Sequence, residues 1–166
     1  MLTDDVRIRS ATPADVALIA ALIRGLADYE HLTEELRLDE RALAEHLFGE
    51  RRYAEVLIAE RGDDVAGYAL FFHTYSTFLT KPGIWLEDIF VVPACRRHGI
   101  GRALLARIAA IAAERGCGRM EWSVLDWNEP ALAFYRGLGA GPVDGWTTYR
   151  LTGAALERLA ADPISR

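Results

Sequence analysis

The chain has 166 residues, of which 51% are hydrophobic and 26% are charged, a composition typical of globular rather than disordered proteins. Its length predicts one domain over residues 1–166, with a core large enough to fold without disulfides or a structural metal. The formal charge of −5 argues against a nucleic-acid-binding protein, which is usually basic, and is compatible with a cationic ligand.

Cysteine, histidine and apolar patterns exclude several further classes of protein. Cys95 and Cys117 form no C-x-x-C pair, and no histidine pair has metal-ligand spacing with a carboxylate, so we expect neither a metal nor a redox dithiol. The segment Met1–Asp5 is acidic and predicts no signal peptide, and no stretch approaches the roughly 18 apolar residues of a membrane span. We therefore expect a cytoplasmic protein with free thiols.

Periodicity and turn residues predict a strand, two helices and a hairpin in the first half of the chain. Thr12 precedes Pro13 as an N-cap, with Asp15 in the first turn, and Asp39 can cap a second helix that stops at Gly49. The predicted elements are a strand over Val6–Arg9, a helix from Pro13 to about Tyr29, a helix after Asp39, and strands over Tyr53–Glu60 and Val65–Tyr75.

One long strand dominates the second half. Trp85–Val92 is apolar on both faces except at Glu87 and Asp88, which predicts a central strand. The elements that follow it are a helix over Ile100–Arg115, a strand over Arg119–Leu125, a helix from Glu129 to Gly139, a last strand over Thr147–Leu151, and a helix from about Gly153 to Ala161. The order predicts an α/β (α+β) layer with helices on both faces of the sheet.

A loop with three arginines and two glycines joins the central strand to the long helix. A helix N-terminus that follows bare glycine backbone offers unpaired N–H groups and a positive dipole end, which suits a phosphate. Two nucleotide motifs are excluded here. Gly101 is followed by Arg102-Ala103 instead of the Lys-Ser of a Walker loop, and Pro93–His98 separates the strand from Gly99, which removes the tight turn of a dinucleotide fingerprint.

The remaining pattern, Arg96-x-x-Gly99-x-Gly101, resembles the acyl-CoA pyrophosphate loop of the GNAT family of N-acetyltransferases. The similarity extends upstream to Leu86-Glu87-Asp88 and downstream to Asp126-Trp127-Asn128-Glu129-Pro130-Ala131-x-x-Phe134-Tyr135-x-x-x-Gly139-Ala140. This set of motifs is similar in particular to the diamine branch, which acts on spermidine/spermine or thialysine.

The resemblance implies a fold, a reaction and partners. The fold would be a mixed, mostly antiparallel sheet of about six to seven strands, with acyl-CoA in a cleft beside the fourth strand. The reaction would move acetyl from acetyl-CoA to a primary amine of a small molecule by direct attack in a ternary complex. The protein would be a homodimer with no nucleic acid or membrane partner and no metal. Alternatives are a related transferase for an amino acid, an aminoglycoside or a protein N-terminus, and a non-catalytic acyl-CoA sensor.

Glu87 is the candidate base or ligand for the amine. An alkylammonium, with a pKa near 10, must lose a proton before it attacks a thioester, and a carboxylate both binds it and accepts that proton, directly or through water. A buried acid also forms ion pairs with arginine, which is the structural alternative. Adjacent residues of a regular strand point to opposite faces, so Glu87 and Asp88 are not expected to form a dyad. The resemblance favours Glu87 as the functional acid and Asp88 as a structural one.

The resemblance also assigns Tyr135 as the acid that protonates the CoA thiolate. A tyrosine that packs a helix on a sheet is the alternative, and Asn128 is equally suited to an N-cap and to contact with the cofactor. Backbone N–H groups in the central strand would bind the thioester oxygen and the pantetheine arm, where family members have a β-bulge. The cofactor-binding residues implied are Ile89, Phe90, Val91, Arg96, Arg97, His98, Gly99, Ile100, Gly101, Arg102, Asn128, Ala131 and Tyr135.

Carboxylates and aromatic residues at two further points of the chain would recognise the amine. The substrate-binding residues implied are Tyr29, Glu30, Glu87, Asp144 and Trp146. The alternative for Glu30, with Glu34 and Glu35, is a solvated acidic loop, which is the more common fate of such clusters.

Overall fold

The computed structural model describes residues 5–162, which divide into two compact units at the Ser123–Val124 bond. The strands are β1 (Val6–Ser10), β2 (Glu55–Arg61), β3 (Asp64–Ser76), β4 (Lys81–Val91) and β5 (Met120–Trp122). The helices are α1 (Val16–Tyr29), α2 (Glu40–Phe48), α3 (Ile100–Glu114), α4 (Glu129–Gly137) and α5 (Gly153–Ala160). Short 3₁₀ turns cover Pro13–Asp15, Thr33–Glu35 and Pro93–Cys95. The prediction of a single domain over residues 1–166 stays a prediction.

The first unit contains one five-stranded sheet in the order β1-β2-β3-β4-β5. The first three pairings are antiparallel and β4 pairs with β5 in parallel, so the sheet is mixed and mostly antiparallel, as predicted. β4 is flanked on both sides, which confirms the central position that its apolar faces predicted. The strand predicted over Arg119–Leu125 is shorter, Met120–Trp122.

The strand predicted over Thr147–Leu151 is wrong. Within the described residues, 140–152 carry no helix or strand, and the sheet has five strands where we predicted six to seven. Alternating apolar residues form a strand when a partner strand pairs their backbone and an apolar face covers them. Residues 147–151 have neither, and Tyr149 is 92% exposed.

Helices cover both faces of the sheet, as the order of elements predicted. α1 and α2 pack on one face, where the buried cluster consists of Ile19, Leu22, Leu47, Val56, Ile58, Tyr68 and Phe90. Alternate residues such as Leu57 and Phe71 are also buried, and they point to the opposite face. α3 packs against β1 to β4 and buries Ile100, Leu104, Ile108 and Ile111. No described helix has the length and apolarity needed to cross a membrane.

A buried carboxylate fixes the start of the first helical segment. The Asp15 side chain accepts hydrogen bonds from the Thr12 backbone N–H (2.7 Å) and hydroxyl (2.8 Å), and from two nitrogens of Arg9 at 2.8 Å each. Arg9 also donates to Glu60 of β2 at 2.6 Å. The Arg9 guanidinium holds the pKa of Asp15 well below its usual range. This ion pair joins β1, β2 and the entry to α1.

The second unit, residues 124–162, contains α4 and α5. Asn128 is buried and its side-chain oxygen accepts a hydrogen bond from the Ala131 backbone N–H at 3.3 Å, which confirms it as the N-cap of α4. Pro130 lies in the first turn of this helix, as predicted. Thr152 precedes α5 in extended conformation.

Candidate active site

A β-bulge interrupts β4 at Glu87. Asp88 pairs with Leu70 and Leu86 pairs with Phe71, so Glu87 is an extra residue with no partner on β3. The bulge that the resemblance implied is therefore present, although no glycine marks it. Bulges shift the alternation of side chains along a strand and are frequent beside functional sites.

The bulge corrects the prediction that Glu87 and Asp88 point to opposite faces. Trp85 and Asp88 pair with Phe72 and Leu70, which lie on the same face of β3. The indole Nε1–H of Trp85 donates to Glu87 Oε2 at 2.8 Å, which holds the Glu87 carboxylate on that face too. The prediction assumed a regular strand, whereas the extra residue places both carboxylates on the face covered by α1 and α2.

Asp88 occupies a half-buried position and contacts a tyrosine of β3. The Tyr68 hydroxyl donates to Asp88 Oδ2 at 2.9 Å. Burial raises the pKa of Asp88 and the charge of Glu87 raises it further, while the hydrogen bond from Tyr68 opposes them. The pKa of the Tyr68 hydroxyl is raised by burial and by the charges of Asp88 and Glu30. In residues 5–162 neither Glu87 nor Asp88 forms an ion pair with arginine, so the structural alternative is not what the fold shows.

Glu30 belongs to the same acidic region. It is the C-cap residue of α1, and its pKa is raised by partial burial and by the charge of Asp88. Glu34 and Glu35 are exposed, so the solvated-loop interpretation holds for them and not for Glu30. The structure thus brings Glu30, Glu87 and Asp88 together, and a cation is the natural ligand for this group of carboxylates.

The contacts of Tyr68 and Trp85 with the two acids were not predicted from the sequence. Tyr68 pairs with Phe90, and its hydroxyl reaches the acid two positions away on the same face of β4. The signal in the sequence was a tyrosine, whose hydroxyl needs a hydrogen-bond partner when buried, within an otherwise apolar strand. Trp85 lies two residues before Glu87, which is the spacing of side chains that share a face of a regular strand. The bulge at Glu87, which the sequence does not mark, changes which side chains share a face.

One edge of β4 has no strand partner beyond the bulge. The parallel ladder with β5 ends at the pair Leu86–Trp122, while β4 continues to Val91 with β3 alone beside it. Within the described sheet, the stretch 87–91 therefore presents alternate backbone N–H and C=O groups on its open side. An extended ligand with amide groups can pair with such an edge.

The loop after β4 leads into α3 as predicted. Arg97 (φ 66°) and Gly99 (φ 79°) are left-handed, and α3 begins immediately after Gly99. The first-turn amides of Ile100, Gly101 and Arg102 have no intrahelical acceptor, and left-handed turns of this kind form anion-binding concavities. Arg97 and Arg102 are exposed, and His98 Nδ1 lies 3.3 Å from the Cys95 carbonyl oxygen. The donor set fits a phosphate.

Arg96 has partners other than a phosphate. Its Nε donates to the Val91 carbonyl oxygen at 3.0 Å. Its guanidinium carbon lies 4.5 Å from the ring centroid of Tyr29 and 5.8 Å from that of Phe90. The predicted phosphate contact of Arg96 stays a prediction.

The other predicted site residues lie in the second unit. Tyr135 is in α4, with its ring centroid 5.4 Å from that of Phe134. Asp144 and Trp146 are exposed and lie in the irregular segment before α5. The catalytic role of Tyr135, the cofactor contacts of Asn128 and Ala131, and the substrate contacts of Asp144 and Trp146 stay predictions.

Comparison with known proteins agrees with the motifs. A model of the Acetyltransferase (GNAT) family matches residues 20–140. A thialysine N-epsilon-acetyltransferase from Bos taurus is 38% identical over 166 residues, covering 93% of this chain and 97% of the relative. An L-ornithine N5-acetyltransferase from Arabidopsis thaliana is 34% identical, covering 92% of this chain and 87% of the relative.

The fold has solved counterparts. An integron cassette protein from the mobile metagenome of V. cholerae has a TM-score of 0.79 and 26% identity, covering 96% of this chain and 100% of the other. The family model spans most of the chain, and the relatives are similar along nearly their whole length. The chain therefore belongs to the acetyltransferase (GNAT) family and is an acetyl-CoA-dependent N-acetyltransferase.

Proposed function

We propose that this protein acetylates a primary amine of a small molecule that carries at least two cationic groups, of the diamine, polyamine or thialysine kind. The observation that carries the proposal is the grouping of Glu30, at the C-terminal end of α1, with Glu87 and Asp88 at the bulge of β4. One carboxylate suffices to bind one ammonium. Additional partly buried carboxylates favour a substrate with a second positive charge.

The open edge of β4 and the following loop would hold acetyl-CoA, which supplies the acetyl thioester. Backbone groups of Ile89, Phe90 and Val91 would pair with the pantetheine amides, as an added strand would. The first-turn amides of α3, with the side chains of Arg97 and Arg102, would bind the pyrophosphate. Asn128 and Ala131 at the start of α4 would contact the arm of the cofactor.

Each step of the transfer has a candidate residue. Glu87 binds the ammonium and accepts its proton through a water, which frees the nitrogen lone pair. The nitrogen forms a bond to the acetyl carbon as the carbon–sulfur bond breaks, and backbone N–H groups of Ile89 to Val91 stabilise charge on the carbonyl oxygen. Tyr135 gives its proton to the departing thiolate, and the proton that the acetylated nitrogen then loses restores the Tyr135 hydroxyl through solvent. Direct attack in a ternary complex needs no acyl-enzyme.

A matched pair of amines tests the proposal. Propylamine and 1,3-diaminopropane differ in one ammonium, so the ratio of their kcat/KM values measures what the second charge contributes. We expect the diamine to be favoured by at least about tenfold, the value of one partly desolvated charge contact. Free CoA thiol released by the purified protein is the readout.

Other amines in the same assay decide between the alternatives. Thialysine and ornithine add a carboxylate to the diamine, and faster turnover of these would assign a diamino acid. Activity on single-charge amino acids, aminoglycosides or peptide N-termini without activity on diamines would refute the proposal. CoA binding without turnover of any amine would indicate a sensor. The homodimer stays a prediction, which light scattering of the purified protein tests.

A further inference from the structure

The Arg96 side chain joins three segments of the first unit. Its Nε donates to the carbonyl oxygen of Val91, the last residue of β4, at 3.0 Å. Its guanidinium carbon lies 4.5 Å from the Tyr29 ring centroid, at the last residue of α1, and 5.8 Å from the Phe90 ring. Arg96 itself belongs to the loop that leads into α3. A single half-buried side chain thus contacts the helix end, the strand end and the loop.

The surface against which Arg96 stacks is closely packed. Phe90 is 7% exposed and belongs to the buried cluster under α1. Gly25 of α1 faces it so closely that an added Cβ would lie 3.1 Å from the Phe90 Cε1 atom. Gly25 thus packs α1 on the Phe90 ring, and the contact between Arg96 and Tyr29 lies one turn further on, at the C-terminal end of the helix. Glu30, which follows Tyr29 directly, is one of the three carboxylates of the acidic region.

These contacts require an arginine. A planar guanidinium can stack on an aromatic ring while its Nε–H donates a hydrogen bond in the plane of the guanidinium. A lysine ammonium does not combine these two contacts. A residue that only neutralised phosphate charge would be replaced by lysine at small cost. The effect of replacing Arg96 by lysine therefore distinguishes a positioning role from a phosphate-binding role.

We infer that Arg96 is a positioning residue that holds the Tyr29–Glu30 end of α1 against the end of β4, and that it couples the amine site to the cofactor loop. This inference rests on the proposed function, since it concerns the same amine site. The groups that bind the pyrophosphate are then Arg97, Arg102 and the first-turn amides of α3. Removing the Arg96 contacts releases Glu30 from its place beside Asp88, which weakens amine binding while the phosphate donors remain.

Two substitutions at Arg96 test the inference. Arg96→Gln removes the charge and the stack, whereas Arg96→Lys keeps the charge and loses the planar stack. We expect Arg96→Gln to raise the amine KM about tenfold and Arg96→Lys to raise it about threefold or more. The dissociation constant for CoA alone, measured by calorimetry, should change by less than about threefold in both variants. A larger loss of CoA affinity that Arg96→Lys rescues, with amine KM unchanged, would make Arg96 a phosphate ligand and overturn the inference.

A double-mutant cycle with Tyr29 checks that the effect passes through the helix end. Tyr29→Phe keeps the aromatic face, so Arg96→Gln should still raise the amine KM in that background. Tyr29→Leu removes the face, and there Arg96→Gln should have little further effect. Additive effects in the Leu background would refute the coupling. If the wild-type protein transfers acetyl without preferring 1,3-diaminopropane over propylamine, the proposed function itself fails, whereas a wild type that has this preference, together with additive variants, refutes the inference alone.

Discussion

The hydroxyl of Tyr68 and the carboxylate of Asp88 form a 2.9 Å hydrogen bond between β3 and β4, one position beyond the bulge. Asp88 is half-buried, has Glu87 beside it in the chain, and has a raised pKa because burial and the charge of Glu87 disfavour its ionised form. A carboxyl with a raised pKa destabilises the folded protein when it ionises. The acidic region is therefore a place where function and stability oppose each other.

Asp88→Asn should make the protein more stable at pH 8 and less active. A group whose folded pKa is raised contributes stability below its unfolded pKa, near 4, and loses that contribution as the pH rises through the folded pKa. We expect the thermal midpoint of Asp88→Asn at pH 8 to exceed that of wild type by about 2–4 °C, with the difference disappearing toward pH 4. The amine KM should rise at the same time. A lower midpoint at pH 8 would contradict this account.

Trp85→Phe should slow the transfer without unfolding the protein. The substitution keeps an aromatic ring and removes the N–H that donates to Glu87 at 2.8 Å. A carboxylate without this donor is less well fixed, and we expect kcat to fall about five- to tenfold, the value of one charge-assisted hydrogen bond. In a Glu87→Gln background the same substitution should have little further effect, because the two residues act as one unit.

Gly101→Asp should weaken CoA binding far more than Gly101→Asn. Both side chains have the same size and differ in charge, so the comparison isolates repulsion of the pyrophosphate in the first turn of α3. We expect the Asp variant to bind CoA at least about tenfold more weakly than the Asn variant at low salt, with a smaller ratio at high salt because of screening. If calorimetry gave equal CoA affinities for the two variants, the first turn of α3 would not be part of the cofactor site.

Tyr135→Phe should reduce kcat by about 100-fold while CoA still binds, because the variant lacks the proton for the thiolate. Phe134→Leu is the matched control, since it alters the neighbouring ring and retains the hydroxyl. That control should change kcat by less than about threefold. Unchanged turnover in Tyr135→Phe would show that another group protonates the thiolate.

Asp15→Asn should destabilise the protein at neutral pH and make its free energy of unfolding less dependent on pH in the acid range. The Arg9 guanidinium lowers the pKa of Asp15, so its contribution is present above the unfolded pKa, near 4, and is lost as the pH falls further. We expect a loss of about 2 kcal/mol at pH 7 in urea unfolding, and a smaller difference at pH 3. Arg24→Gln, which breaks the exposed ion pair with Glu40, should cost less than about 0.5 kcal/mol.

The features that the sequence predicted well are those that local residues determine. Asp39, Gly99 and Asn128 stand immediately before α2, α3 and α4, because capping depends on neighbours in the chain. The bulge at Glu87 depends on the register with Leu70 and Phe71, which local patterns do not encode. The partners of Arg96 depend on where the end of α1 lies relative to β4, so they could not be predicted from the sequence either.

The error at residues 147–151 has the same origin. The alternation of apolar and polar residues there is real, but a strand also needs a neighbour that pairs with it, and the described sheet offers none. The three motifs, by contrast, identified the family correctly because a reaction constrains residue types at fixed spacing, whatever the surrounding structure. The substrate stays a prediction, since the carboxylates that would bind it come from separate segments of the chain.

The side of β4 that is open in the described sheet would also affect how long the protein survives between catalytic cycles. An unpaired strand edge is a template for association with other chains, and this one lies beside buried strands. If the pantetheine arm pairs with residues 87–91, bound cofactor closes that edge and raises the midpoint of unfolding with the logarithm of the free cofactor concentration. Protection of these amides from hydrogen exchange would then increase with added CoA. The supply of the cofactor would set the aggregation rate and the turnover of the protein as well as its activity.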